Sequence, residues 1–109
     1  MNFRKALLFA GMLVMSVQAQ ASTQAASYVT RVQITGSRYL FFLDGSRTSR
    51  PACDCCNRWE VDGSTAAGQS MIATILTALS LHRLTTISGT GSCVPGSNDT
   101  EGVALLDMQ

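Results

Sequence analysis

Charged side chains make up only 14% of this 109-residue chain, and histidine occurs once, as His82. The sequence places no acid or nucleophile beside His82, so we expect no catalytic activity. Gly89-Thr90-Gly91 lacks the Lys-Ser/Thr pair of a phosphate-binding loop, so we expect no cofactor either. A transmembrane helix needs about 20 consecutive apolar residues, and no apolar run in the chain is that long. The eight basic residues barely outnumber the seven acidic ones. We therefore expect neither a membrane span nor a nucleic-acid partner.

Residues 1–21 have the pattern of a secretory signal peptide. Arg4 and Lys5 precede an apolar run over residues 6–17, and Ala19-Gln20-Ala21 supplies the small residues of a cleavage site. We expect cleavage after Ala21 and a secreted or periplasmic protein. Lys5 is the only lysine in the chain. The mature part then holds six arginines against seven acidic residues, a side-chain charge of about −1.

The remaining sequence predicts one mainly β domain with a single helix. Residues 22–27 are small and polar and are expected to form a flexible leader, which leaves the domain over residues 28–109. Apolar and polar residues alternate in the segments that we expect to be strands, and a helical pattern separates the third from the fourth. The expected order is therefore β-β-β-α-β-β. The five expected strands cover residues 28–35, 39–43, 58–62, 84–87 and 103–108.

The expected helix begins after Ser64 as its N-cap and carries no charged side chain as far as Leu81. An apolar stripe at helical spacing predicts the face that packs on the core. It consists of Gly68, Met71, Ile72, Ile75, Leu76 and Leu79. The other face is small and neutral where a solvated helix usually carries Lys and Glu, so we expect it to contact other copies of the chain. That face consists of Gln69, Ser70, Ala73, Thr74, Thr77 and Ser80.

The four cysteines all lie in the expected mature part, where an oxidising compartment favours disulfides. They allow three complete pairings, among which the sequence alone does not choose. A bridge between Cys55 and Cys56 would be strained, because disulfides favour Cα atoms about 5.5 Å apart and adjacent residues are about 3.8 Å apart. A zinc site is disfavoured, because structural sites usually contribute spaced Cys-x2-Cys pairs. We expect no metal.

The predicted order of elements is that of an OB-fold, a small Greek-key barrel that binds oligonucleotides or oligosaccharides. Several segments also resemble those of small exported bacterial proteins that are similar to the OB-fold B subunits of AB5 toxins, of the subtilase-cytotoxin and pertussis kind. These segments are Pro51-Ala52-Cys53, Arg58-Trp59, Ser64-Thr65-Ala66-Ala67-Gly68, Gly89-Thr90-Gly91-Ser92-Cys93 and Asp99-Thr100-Glu101. The resemblance implies an OB-fold-like five-stranded barrel with a Cys53–Cys93 disulfide. Cys55 and Cys56 depart from the pattern and stay unassigned between a vicinal and an intermolecular bridge.

The same resemblance implies a non-catalytic, glycan-binding protein that forms a homo-oligomer, with a pentamer as one form, beside a separate A-type subunit. The expected ligand contacts are Arg38, Tyr39 and Arg58, because their polar ends must stay in water while their bodies can lie against a sugar ring. The alternative is a structural or assembly protein of the bacterial envelope without a ligand. A lesser alternative is single-stranded nucleic-acid binding by aromatic stacking.

Overall fold

The computed structural model describes residues 21–109, so the expected signal peptide lies outside the described residues except for Ala21. The prediction of a mainly β chain with one helix is confirmed. Among the described residues, no helix is both long and apolar enough to span a bilayer. The elements in chain order are β1 (Thr23–Ser27), β2 (Val29–Thr35), β3 (Arg38–Leu43), β4 (Trp59–Asp62), α1 (Ala66–Leu81), β5 (Thr85–Cys93) and β6 (Glu101–Met108).

The strands form one mixed sheet in the order β1-β5-β6-β4-β3-β2. All neighbours are antiparallel except β4 and β6, which run parallel. Only Tyr28 separates β1 from β2, yet these two strands lie at opposite edges of the sheet. The chain therefore runs from one edge to the other through a bend at Tyr28, and the sheet curls into a half-barrel.

The prediction of five strands is wrong, because Thr23–Ser27 form β1, a sixth strand, within the segment that was expected to be a flexible leader. β1 lies between β5 and the segment at residues 46–48. The Ala25 N–H donates to the Ser46 carbonyl of that segment at 3.0 Å. Its inward side chains are polar but bonded, since Gln24 Nε2 donates to the Gly45 carbonyl at 2.7 Å. Trp59 Nε1 donates in turn to Gln24 Oε1 at 3.3 Å. The small, polar composition of residues 22–27 predicted a flexible leader, because the hydrogen-bond partners that bury Gln24 are distant in sequence and could not be identified from it.

Helix α1 begins one residue later than expected. Thr65 is the N-cap, and its Oγ1 accepts from the Gly68 N–H at 2.9 Å. Ser64 instead donates its hydroxyl to Asp62 Oδ1 at 2.6 Å. The helix ends at Leu81, and the C-cap His82 adopts φ 50° and stacks on the Tyr28 ring at 3.8 Å between centroids.

The apolar stripe of α1 was predicted only in part. The helix buries Gly68, Ile72, Ile75 and Ala78, whereas Leu76 and Leu79 are 41% and 38% exposed. Small residues at both ends of the buried row let the helix approach the sheet closely, and a Cβ at Gly68 would collide with the Asp62 carbonyl.

The core lies between α1 and the inner face of the curled sheet. Trp59 and Phe41 are its largest fully buried members. The other buried members of the cluster are Val29, Leu43, Val61, Ile72, Ile75, Ala78 and Ile87.

A buried ionic cluster, which we call the Arg47 cluster, lies beside the core and consists of Arg47, Asp54 and Glu101. Arg47 Nη2 donates to Glu101 Oε1 at 2.7 Å and to Asp54 Oδ2 at 2.9 Å, and its guanidinium lies 3.8 Å over the Trp59 ring. Asp54 Oδ2 also accepts the Glu101 N–H at 3.0 Å. A Cβ at Gly89 would collide with the Glu101 carboxylate, so glycine is required there. These contacts join segments far apart in sequence.

Both pairs of cysteines form disulfides. The implied Cys53–Cys93 disulfide is present and ties the segment before β4 to the end of β5. Cys55 and Cys56 form a vicinal disulfide, although the sequence analysis expected strain in that pairing. Two disulfides are compatible with an oxidising compartment, while export stays a prediction.

We expect the two disulfides to differ strongly in what they contribute to stability. Cys53 and Cys93 are 40 residues apart, and closing a loop of that length stabilises the fold by about 4 kcal/mol in the chain-entropy model. Replacing both with serine should lower the free energy of unfolding by about that amount in urea denaturation. The matched control is Cys55→Ser with Cys56→Ser, which opens a minimal loop and should cost far less. Equal losses for the two double variants would contradict this account.

Candidate ligand cleft

A cleft with polar walls lies where β3 begins, β4 ends and the loop at residues 94–97 passes over both. It has a volume of about 220 Å³. Its walls combine one guanidinium, two carboxylates and three hydroxyl groups with two apolar side chains and a glycine. The lining residues are Ser37, Arg38, Glu60, Asp62, Ser64, Val94, Pro95, Gly96 and Ser97.

Arg38 is positioned by two carboxylates. Its Nε donates to Glu60 Oε1 at 2.6 Å, and its Nη2 donates to Asp99 Oδ1 at 3.0 Å. Glu60 is fully buried, and its second oxygen accepts from the Ser97 hydroxyl at 2.9 Å. The hydrogen bond to Glu60 is the largest cause of the raised pKa of Arg38. Nη1 makes none of the hydrogen bonds described for Arg38, which leaves its hydrogens for a ligand.

Arg58 holds the same Asp99 from the other side. Its Nη2 donates to Asp99 Oδ2 at 3.3 Å, and its Nε donates to the Thr100 hydroxyl at 2.9 Å. The pKa of Asp99 is lowered, first by the hydrogen bond from Thr100 and then by the charges of Arg58 and Arg38. A lowered pKa means that the ionised carboxylate stabilises the fold above its ordinary pKa, and that this is lost only as the pH falls through the lower value. The arrangement therefore keeps its charges at neutral and mildly acidic pH.

The three expected ligand contacts do not come together. Arg38 and Arg58 meet through Asp99. Tyr39 follows Arg38 on β3, and successive side chains of a strand point to opposite faces. Its ring packs against the core on the helix side and lies where a Cβ at Gly63 would collide with it. Tyr39 therefore lines the core rather than the cleft.

The acidic members of the cleft were missed by the sequence analysis. Glu60 and Asp62 alternate with Trp59 and Val61, so the period of two places them on the face of β4 opposite the core, and the sequence analysis assigned them no role. Asp62 is held by the hydroxyl and the N–H of Ser64, and these two hydrogen bonds lower its pKa. Alternation along β4 was the only available signal, and it did not pair the two acids with Arg38, because that pairing depends on the register of β3 and β4.

The cleft can offer hydrogen bonds of both kinds to a small ligand. Its guanidinium donates, its carboxylates accept, and its hydroxyls do either. Within residues 21–109, no group of three or more histidine, cysteine or acidic side chains has a geometry that could hold a metal ion. All four cysteines are in disulfides, so the zinc site weighed from the sequence has no thiolate ligands.

No protein-family model, no curated protein and no solved structure matches this chain.

Proposed function

We propose that this chain is a non-catalytic carbohydrate-binding protein whose site is the cleft beside Arg38. The observation that carries the proposal is the fixed guanidinium of Arg38, which is held through Nε and Nη2 by Glu60 and Asp99 while Nη1 stays available. A donor that is oriented before the ligand arrives loses little conformational freedom on binding. Arginine in this setting is a suitable partner for sugar hydroxyl groups.

The charges of the cleft favour a neutral ligand. One arginine faces the carboxylates of Glu60 and Asp62, so the lining residues carry more negative than positive charge. A phosphate or carboxylate would therefore meet repulsion, whereas a hydroxyl-rich sugar can both donate and accept. The cleft has a volume of about 220 Å³, whereas typical ligand pockets have about 300 to 1,000 Å³. A cleft of this size suits one sugar ring at the end of a glycan.

The topology supports the OB-fold-like assignment on which the glycan-binding resemblance depends. When β1 and β2 are counted as one bent strand, the sheet has five strands, and the third and the fifth lie side by side in parallel. We therefore keep the likeness to B subunits of AB5 toxins as part of the proposal, together with export and a separate A-type subunit.

Two alternatives give different results in the same experiments. Single-stranded nucleic-acid binding is disfavoured because Arg38, Arg47 and Arg58 are each paired with carboxylates, which neutralises a large part of the basic charge. A structural or assembly role in the envelope needs no ligand and leaves the cleft without a function.

We also propose that copies of the chain associate through α1. The helix carries no charge from Ser64 to Leu81, and it exposes Leu76, Leu79 and Leu81. A neutral apolar surface is suited to an identical surface on a second copy. Association would present several weak sugar sites together, which raises the overall affinity without new contacts at each site.

We expect Arg38→Ala to abolish glycan binding, because it removes the oriented donor and leaves Glu60 buried without its cation. The measurement is binding of the purified protein to an array of neutral and sialylated glycans, followed by titration with the sugars that bind. A single site should bind its sugar with a dissociation constant of about 1 mM. The matched control is Arg83→Ala, which removes an exposed arginine that does not line the cleft and should leave binding unchanged.

Absence of binding to every glycan by the assembled protein would favour the ligand-free envelope role. Binding that survives Arg38→Ala would move the site away from this cleft. Preference for single-stranded nucleic acid over glycans would support the lesser alternative.

We expect Thr77→Glu to shift the protein towards the monomer, because it places like charges opposite each other on the exposed face of α1. Thr77→Gln has similar size without the charge and should keep the assembly. Light scattering at micromolar concentration measures the mass of each variant. A monomeric wild-type protein under these conditions would contradict the association.

A further inference from the structure

The residue that follows the expected cleavage site is completely buried. Ser22 has no exposed surface, whereas Ala21, on the other side of the expected scissile bond, is exposed. The Ser22 carbonyl accepts the Gly89 N–H at 2.8 Å, and its hydroxyl accepts from Arg47 Nε at 3.1 Å. Ser22 is thus fixed at the start of β1 by both backbone and side chain.

The nitrogen of Ser22 points at a carboxylate. It lies 3.2 Å from Glu101 Oε2, and the Ser22 hydroxyl donates to Glu101 Oε1. Oε2 also accepts the Gly91 N–H at 2.9 Å. The backbone nitrogen of Ser22 is therefore one of the hydrogen-bond donors to the fully buried carboxylate of Glu101.

The Arg47 cluster lacks one positive charge. The side chains of Asp54 and Glu101 are fully buried, and within residues 21–109 the only cation buried with them is Arg47, whose side chain is 2% exposed. Arg50 Nη1 is 3.9 Å from Asp54 Oδ1, but its side chain is 40% exposed, so water screens this pair. The described side chains thus leave about one buried negative charge without a buried partner. Such a charge is costly in a protein interior.

We propose that cleavage after Ala21 turns the Ser22 nitrogen into an α-ammonium group that pairs with Glu101 and completes the Arg47 cluster. Hydrolysis of the Ala21–Ser22 peptide bond by an export peptidase consumes one water molecule, leaves a carboxylate on Ala21 and releases the amine of Ser22. The amine takes up a proton at neutral pH, because α-amino groups have an ordinary pKa of about 8. The group then carries three donors where the peptide carried one.

This pairing couples processing to stability. Before cleavage the same nitrogen belongs to a neutral amide, so the folded precursor keeps the unmatched buried charge. After cleavage the charge is matched, and β1 is anchored to β5 and β6 through Glu101. The precursor is therefore less stable than the processed protein, which suits a chain that must stay unfolded until it has crossed the membrane.

The first test measures how readily the α-amine reacts. The full-length chain is expressed, exported and purified after processing, and its intact mass identifies the first residue. Lys5 is the only lysine, so a chain that begins at Ser22 has the α-amine as its one primary amine. Acetylation near neutral pH should be at least about tenfold slower in the folded protein than in denaturant, because the buried, paired ammonium is not a nucleophile.

The matched control is a full-length chain with one alanine inserted between Ala21 and Ser22. The segment Ala19-Gln20-Ala21 is preserved, so cleavage leaves an extra residue and moves the α-amine by about 3.8 Å. That amine should acetylate at nearly the same rate folded or unfolded. The inserted chain should also melt about 5 °C lower than the wild type, since it loses the ion pair.

A double-mutant cycle that combines the insertion with Glu101→Gln distinguishes loss of the ion pair from steric crowding by the extra alanine. In that background the insertion should have little effect on the melting temperature. Should Glu101→Gln fail to fold, the acetylation comparison still decides, because it needs no change at Glu101. A mature chain that begins at any residue other than Ser22, or equal acetylation rates in the folded and denatured wild type, would overturn the proposal.

Discussion

The buried guanidinium of Arg47 is the contact on which the remaining structure depends. It bonds to Asp54 and Glu101, lies over Trp59 and donates to the Arg58 carbonyl at 3.0 Å. These partners come from the segment before β4, from β4 itself and from the start of β6. A small domain buries a limited apolar core, so polar contacts and disulfides that join distant segments contribute a large share of its order.

The candidate cleft is held in place by the same contacts. Arg47 and Asp54 fix Glu101, which fixes the two residues before it, Asp99 and Thr100. The Asp99 carbonyl accepts the Cys55 N–H at 3.0 Å, so the vicinal disulfide segment supports it as well. Asp99 then orients Arg38 and Arg58. The charged groups of the candidate cleft and the Arg47 cluster therefore form one connected network, and damage to the cluster should alter the cleft.

The sequence predicted the elements that follow a simple period and missed those that depend on distant partners. Alternation located β2, β3, β4 and most of β6, but only the first residues of β5, which continues through Gly89-Thr90-Gly91 to Cys93. The charge-free helical pattern located α1. β1 was missed because Gln24 is a polar residue whose buried side chain bonds to the Gly45 carbonyl and to Trp59 Nε1, 21 and 35 positions away in sequence. Arg38 was selected from its residue type, whereas its partner Glu60 could not be identified until the register of β3 and β4 was known.

The most direct test of the central claim is the free energy of unfolding of Arg47→Met, measured by urea denaturation beside Arg83→Met as an exposed control. The account predicts a loss of about 3 to 5 kcal/mol for Arg47→Met, because two buried carboxylates lose their cation, and about 0.5 kcal/mol or less for the control. A chain with Arg47→Met that is as stable as the wild type would contradict the account.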